Sequence, residues 1–201
     1  MPAVKHFNGP RVPKEERVKR VRGSTSFKRE GKTILEITHN GKKVPLHVFS
    51  KGSPGGTFLR IVMHANKKRS AVTFTANNYN PDSWWNISHR YVTPDFRGHY
   101  LGRTGIRLME QLVRKEGGKV IGSSSHQINF LRTCLSMGYS VQPGSYRQLK
   151  RALKLPQNRP LPSNKKLVQL LDQLKRKSGS NYLTDATPKN YDFIQIAKDL
   201  R

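Results

Sequence analysis

From Thr33 to Val92 apolar residues recur at every second position, and turn-forming residues interrupt them at short intervals. TILEITHNGKKVPLHVFS places two β-rich runs about Asn40-Gly41, a pair suited to a two-residue hairpin turn because both residues tolerate positive φ. TFLRIVMHA, an NKKR turn and SAVTFTANN predict a second hairpin; SWWNISHRYV, from about Ser83 to Val92, predicts a fifth strand. Strands in series joined by tight turns predict an antiparallel meander. After VTPDFRGHYLG, Val92 to Gly102, the period lengthens to that of a helix. Ile106, Met109 and Val113 form one stripe, Leu108 and Leu112 lie beside it, and Gly117-Gly118 ends it. KVIGSSS then reads as a short strand, QINFLRTCLSM as a second helix closed by Gly138, and YSVQ as another short strand. Strands and helices in this order predict an α+β fold, a mixed sheet covered by helices.

The pattern changes again at Tyr146. From there to Lys177 ten basic residues face one acid, Asp172. Leu167, Leu170, Leu171 and Leu174 recur at helical spacing, with Ser163 as the expected N-cap. TPKNYDFIQIAKDLR predicts a short terminal helix from Pro188. At the other end, residues 1–26 are basic, broken by Pro and Gly, and poor in large apolar side chains. The predicted organisation is a basic extended arm over 1–26, with a short helix near Lys14 to Val21, a folded domain over 27–145, and a basic helical C-terminal extension over 146–201.

Charge adds the partner. Lys and Arg number 38 against 12 Asp and Glu, a formal +26, and such an imbalance implies a polyanion, with nucleic acid or nucleoprotein as the default. The 34% of hydrophobic residues suffice for a core of about a hundred residues. No apolar run approaches the roughly 18 residues that span a bilayer, and MPAVKHFNGPRVPKEERVKRVRG has no apolar signal core, so no membrane partner and a cytoplasmic protein are expected. Glu15 and Glu16 interrupt the basic run, against an organellar transit segment. The single Cys134 excludes an internal disulfide and a Cys-rich zinc site, and no metal is expected.

The candidate chemistry lies in the loop between fifth strand and first helix. Bare amides and the helix dipole at such a place suit an anion; the alternative is an ordinary turn whose glycines serve only dihedral freedom. With its flanking elements, the loop resembles that of the GNAT N-acetyltransferase superfamily, in which a strand delivers the chain into an Arg/Gln-x-x-Gly-x-Gly/Ala loop. Arg97, Gly98, His99, Tyr100, Leu101 and Gly102 occupy that loop here, with Tyr100 where the family prefers glycine, and Met137-Gly138-Tyr139 match the family's later Gly-Phe ending. The resemblance implies a GNAT-like mixed, mostly antiparallel central sheet flanked by helices. It implies acetyl-CoA as acyl donor, its pyrophosphate received by the amides of Arg97 to Arg103, with Val92 at the loop entrance and Arg97 and Arg103 adding charge. The family's acid position falls on Cys134.

Carboxylates are scarce between Gly31 and Ser145: Glu36, Asp82, Asp95, Glu110 and Glu116, the last two expected to point outward from the first helix. His89 and His126 are therefore the best-placed candidate bases; Ser123, Ser124 and Ser125 are candidates for a water chain or simply a strand end. Two functions follow. One is an N-acyltransferase acting on an amine of a nucleic-acid-associated partner, such as charged tRNA or a ribosomal or nucleoprotein component. The other is a catalytically degenerate protein of the same shape that binds RNA or DNA through basic arms. Trp84, Trp85, Tyr91 and Phe96 have the chemistry to stack on bases, although strand spacing also fits them to a core. A plain DNA-binding module lacks any helix-turn-helix or zinc signal.

Overall fold

Alternation builds the first half of the molecule. The computed structural model describes residues 34–39, 42–52, 57–66, 69–80, 84–183 and 193–201. Its first five strands are β1 (Ile34–His39), β2 (Lys42–Gly52), β3 (Phe58–Asn66), β4 (Arg69–Asn80) and β5 (Trp84–Val92). Each pairs antiparallel with the next, as the period of two predicts. β1 and β2 meet at His39 and Lys42, the residues that bracket Asn40-Gly41. Leu59, Ile61 and Met63 on β3 and Val72, Phe74 and Ala76 on β4 are buried at every second position, which gives the sheet its apolar face.

The second half covers that face. It comprises α1 (Leu101–Lys115), β6 (Val120–Ser125), α2 (Ile128–Ser136), β7 (Ser140–Val141), α3 (Tyr146–Ala152), α4 (Asn164–Ser178) and β8 (Ile194–Asp199). The sheet order is β1-β2-β3-β4-β5-β6-β8-β7. Only β5 and β6 run parallel; all other neighbours are antiparallel. The mixed, mostly antiparallel sheet flanked by helices is thus present. Ile106, Met109 and Val113 form the buried stripe of α1. Gly105 lets that helix come close to the sheet, since a Cβ there would stand 2.4 Å from Phe74 Cε2. On α4, Leu167 and Leu171 turn inward, and Ser163 caps the helix by accepting from the Lys166 amide. Among the described residues no helix is long and apolar enough to cross a membrane.

Where a terminal helix was expected from Pro188, the described part, Ile194–Asp199, is a strand instead. Ile194 and Ile196 are buried while Gln195 between them is exposed, a period of two that β8 uses to insert between β6 and β7. Sheet pairing on both edges outweighs the local helix preference of AKDLR. The extension therefore contributes a strand to the sheet as well as helices. The 1–26 arm lies outside the described residues.

Candidate active site

Two openings meet where β5 leaves the sheet. The first is the rim formed by the loop. Thr93 fixes the exit, its Oγ1 donating to the Ser70 carbonyl at 2.6 Å and its N–H to that of Ala71 at 3.0 Å. A 3-10 turn over Pro94–Phe96 follows, anchored by buried Phe96. The chain then passes through Gly98 at φ +89° and Tyr100 at φ +56° before α1 begins. The first amides of a helix have no intrahelical acceptor. No side chain caps this helix and no acid stands in its first turn. The amides of Leu101, Gly102 and Arg103 have no acceptor among the described residues. A Cβ at Gly98 or Gly102 would meet nothing within 4 Å, so the approach is open.

Tyr100 occupies a left-handed position, where glycine is the least strained residue, and its side chain is 80% exposed. Arg97 donates from Nε to the Val92 carbonyl at 3.4 Å, and Arg103 from Nη2 to the Ser136 carbonyl at 3.4 Å. His99 is half-buried. Beside the rim, Arg103, Arg107, Glu110, Ser136, Met137 and Lys198 line a cavity of about 260 Å³. Three cations there face one carboxylate.

The second opening is a split in the sheet. β5 and β6 pair only from Trp84 to Asn86 and from Val120 to Gly122, although β5 continues to Val92 and β6 to Ser125. The parting begins beside a bulge: Thr75 pairs with His89 and Ala76 with Ile87, which leaves Ser88 as the extra residue. Side chains fill the gap. Ser123 Oγ donates to the Ile87 carbonyl at 3.0 Å. Arg90 reaches across with Nη1 to Ser123 Oγ at 3.1 Å and Nη2 to Ser125 Oγ at 2.7 Å, and lies 3.5 Å from the Ser124 carbonyl. Its guanidinium carbon sits 3.6 Å from the centroid of the Phe130 ring on α2. Arg90 Nε is buried without an acceptor, and no carboxylate pairs with this side chain among the described residues. Burial lowers its pKa.

The structure separates the candidate acid–base residues. His89 is exposed on β5, one arm of the split. His126 directly follows β6, the other arm, with its ring 5.3 Å from Tyr182 and 5.0 Å from Phe193. Cys134 is 0% exposed. The acid position therefore lies in the core, where burial pushes the thiol far above the usual range. Glu110 is corrected: it points inward, and Lys198 on β8 donates to its two carboxylate oxygens at 3.1 and 3.2 Å. That partner arrives on β8, the strand that stands where a terminal helix was expected. Burial, and then Glu110, raise the phenol of buried Tyr139. The serine run lies under the Arg90 guanidinium, which takes the places proposed for a water chain at Ser123 and Ser125. Arg90 and Phe130 are absent from the sequence-derived candidates; the serine run alone marked their location.

No family model matches this sequence, and no curated protein matches it. Among solved structures the chain is similar to a Bacillus subtilis acetyltransferase in complex with CoA, at 11% identity and TM-score 0.46, over 72% of this chain and 78% of that one. It is similar to an acetyltransferase of the GNAT family from Staphylococcus aureus MU50, at 10% identity and TM-score 0.45, over 72% and 68% of the two chains. An aminoglycoside 6'-acetyltransferase type Ii matches at 12% identity and TM-score 0.43, over 72% and 70%. At such identities and scores these likenesses define neither family nor reaction.

Proposed function

We propose that the protein is an N-acyltransferase of GNAT type that takes its acyl group from acetyl-CoA. The observation that carries this reading is the continuity of rim and split along one strand: β5 borders the split and ends at the open amides of α1. A diphosphate suits the rim, because backbone N–H groups and the helix dipole favour negative charge there and Arg97 and Arg103 flank it. The cavity beside Arg103 and Arg107 suits the third phosphate, on the ribose. Acetyl-CoA supplies the activated acyl group; His89 and His126 are the side chains on the two arms that can take a proton from an amine.

The acceptor we propose is an amine of a nucleic-acid-associated partner, such as charged tRNA or a ribosomal component. The charge of +26 supports it, as does the division of α4 into inward leucines and exposed Lys165, Lys166, Arg176 and Lys177. Calorimetry with acetyl-CoA, desulfo-CoA and structured RNA tests both halves. Acetyl-CoA is expected to bind. RNA affinity is expected to fall with salt at a log–log slope of about −0.7 to −0.9 per phosphate neutralised. RNA binding without any heat from either CoA compound would favour the second reading, a degenerate protein that holds nucleic acid through basic arms. That reading draws support from the loss of Cys134 to the core and from the bridged split.

A further inference from the structure

Arg90 is the one permanently charged side chain on the facing arms of the split, 87–92 of β5 and 123–125 of β6. Its surroundings are unusual for a cation. Two serine hydroxyls, a carbonyl and a phenyl ring hold it, and no carboxylate among the described residues neutralises it. Taking a charge out of water without an opposite charge costs stability. Such an arrangement suits a site where a negative charge arrives during function, because a fixed, partly buried cation acts on it with less screening than in water. The titratable groups nearby do not supply that charge. Cys134, from α2, is buried as a thiol whose pKa burial raises, and the Glu110 carboxylate is already paired with Lys198 of β8.

This inference rests on the acyl-CoA reading above. We propose that Arg90 receives the negative charge that develops on the donor's sulfur, so that electrostatic stabilisation acts where the family's acid position, Cys134, is buried in the core. In the transfer the acceptor's nitrogen forms the new bond to the acyl carbon. The carbon–sulfur bond breaks, and its electron pair stays on sulfur as a thiolate facing the guanidinium. The amine's proton leaves to a base or to water. A guanidinium suits this position because it stays charged when buried and its fork is held in one orientation by Ser123 and Ser125.

The test needs no acceptor. A cation beside the sulfur lowers the pKa of the CoA thiol on binding, and linkage then requires CoA to bind more tightly as pH rises through the thiol range. Thiolate absorbance of protein-bound CoA is titrated from pH 6 to 10, with calorimetry of CoA and desulfo-CoA at the same pH values. The expected result in the native chain is a thiol pKa at least about one unit below that of free CoA, and about a tenfold gain for CoA over desulfo-CoA across the range. Arg90→Gln is expected to abolish both, and Arg90→Lys to keep part of each. An unshifted thiol in the native chain overturns the proposal without recourse to any variant, so a poorly folding Arg90→Gln does not protect it. A shift that persists in well-folded Arg90→Gln also overturns it. CoA and desulfo-CoA binding equally, with no thiol shift, sinks the role of Arg90 alone; no binding of either sinks the donor reading and this role together.

Discussion

The rim and the split leave opposite accounts of their polar groups. At the rim the backbone is bare: Leu101, Gly102 and Arg103 present amides without acceptors among the described residues, and Gly98 and Gly102 stand beside open space. In the split the backbone has also lost its ladder, but there the side chains of Arg90 and Ser123 take its place. One opening is kept ready by leaving groups unpaired in water, which costs little. The other, partly buried among α2 and two strands, is satisfied by side chains where the backbone ladder stops. The same strand therefore carries a bare rim and a charged, side-chain-bridged split.

That contrast also explains what was legible in the sequence. The rim is local. Its left-handed backbone and uncapped helix start lie within eleven consecutive residues, so the conformation of the Arg97 to Arg103 loop is legible in the sequence. The strands and helices up to Val141, and α4, are legible too, because burial follows their own periods. The split is assembled from β5, β6 and α2, and nothing near Arg90 in the chain names Ser123, Ser125 or Phe130 as its partners. Glu110 misled for the same reason: its partner Lys198 lies on another element, and that element was misassigned because AKDLR favours a helix while sheet pairing decides. Cys134 was placed by family position, which says nothing about burial.

The largest effect that would sharpen the comparison is on the rim. Gly102→Glu places a carboxylate where a diphosphate has to approach, yet a Cβ there meets nothing within 4 Å. Acetyl-CoA affinity is expected to fall about a hundredfold, roughly 2.7 kcal/mol, with no loss of thermal stability. Calorimetry and a melting curve on the same sample check this. Loss of folding along with binding would mean that the rim is part of the packed structure and not an open site.

A smaller effect is expected from the split, and on the other property. Ser125 Oγ accepts from Arg90 Nη2 at 2.7 Å and from the Gln127 amide at 3.0 Å. Ser125→Ala leaves two donors in a buried place without their acceptor, at a cost of about 1–3 kcal/mol. Gly102→Ala, a change of comparable size on the rim, is expected to cost nothing measurable. Denaturant unfolding of the two variants side by side decides. Equal stabilities would break the distinction between a solvated rim and a satisfied split.

The smallest effect concerns Tyr100, the residue that departs from the glycine of the resembling loop. Its φ of +56° is a left-handed conformation that strains a residue with a Cβ by about 1–2 kcal/mol. Glycine removes that strain but enlarges the freedom of the unfolded chain, which offsets about 0.4–1 kcal/mol of the gain. Tyr100→Gly is therefore expected to stabilise the protein by about 0.5 kcal/mol, a rise in Tm of roughly 1–2 °C for a chain of this size. With 80% of its surface exposed, the tyrosine gives up little packing when it is removed. Acetyl-CoA affinity should stay within about twofold, because the proposed anion site uses the backbone amides and not this ring. Tyr100→Val, with a β-branched side chain in the same backbone region, is expected to shift Tm the other way. If Tyr100→Gly lost affinity while gaining stability, the ring itself would belong to the ligand site, and the rim would be less bare than its backbone makes it.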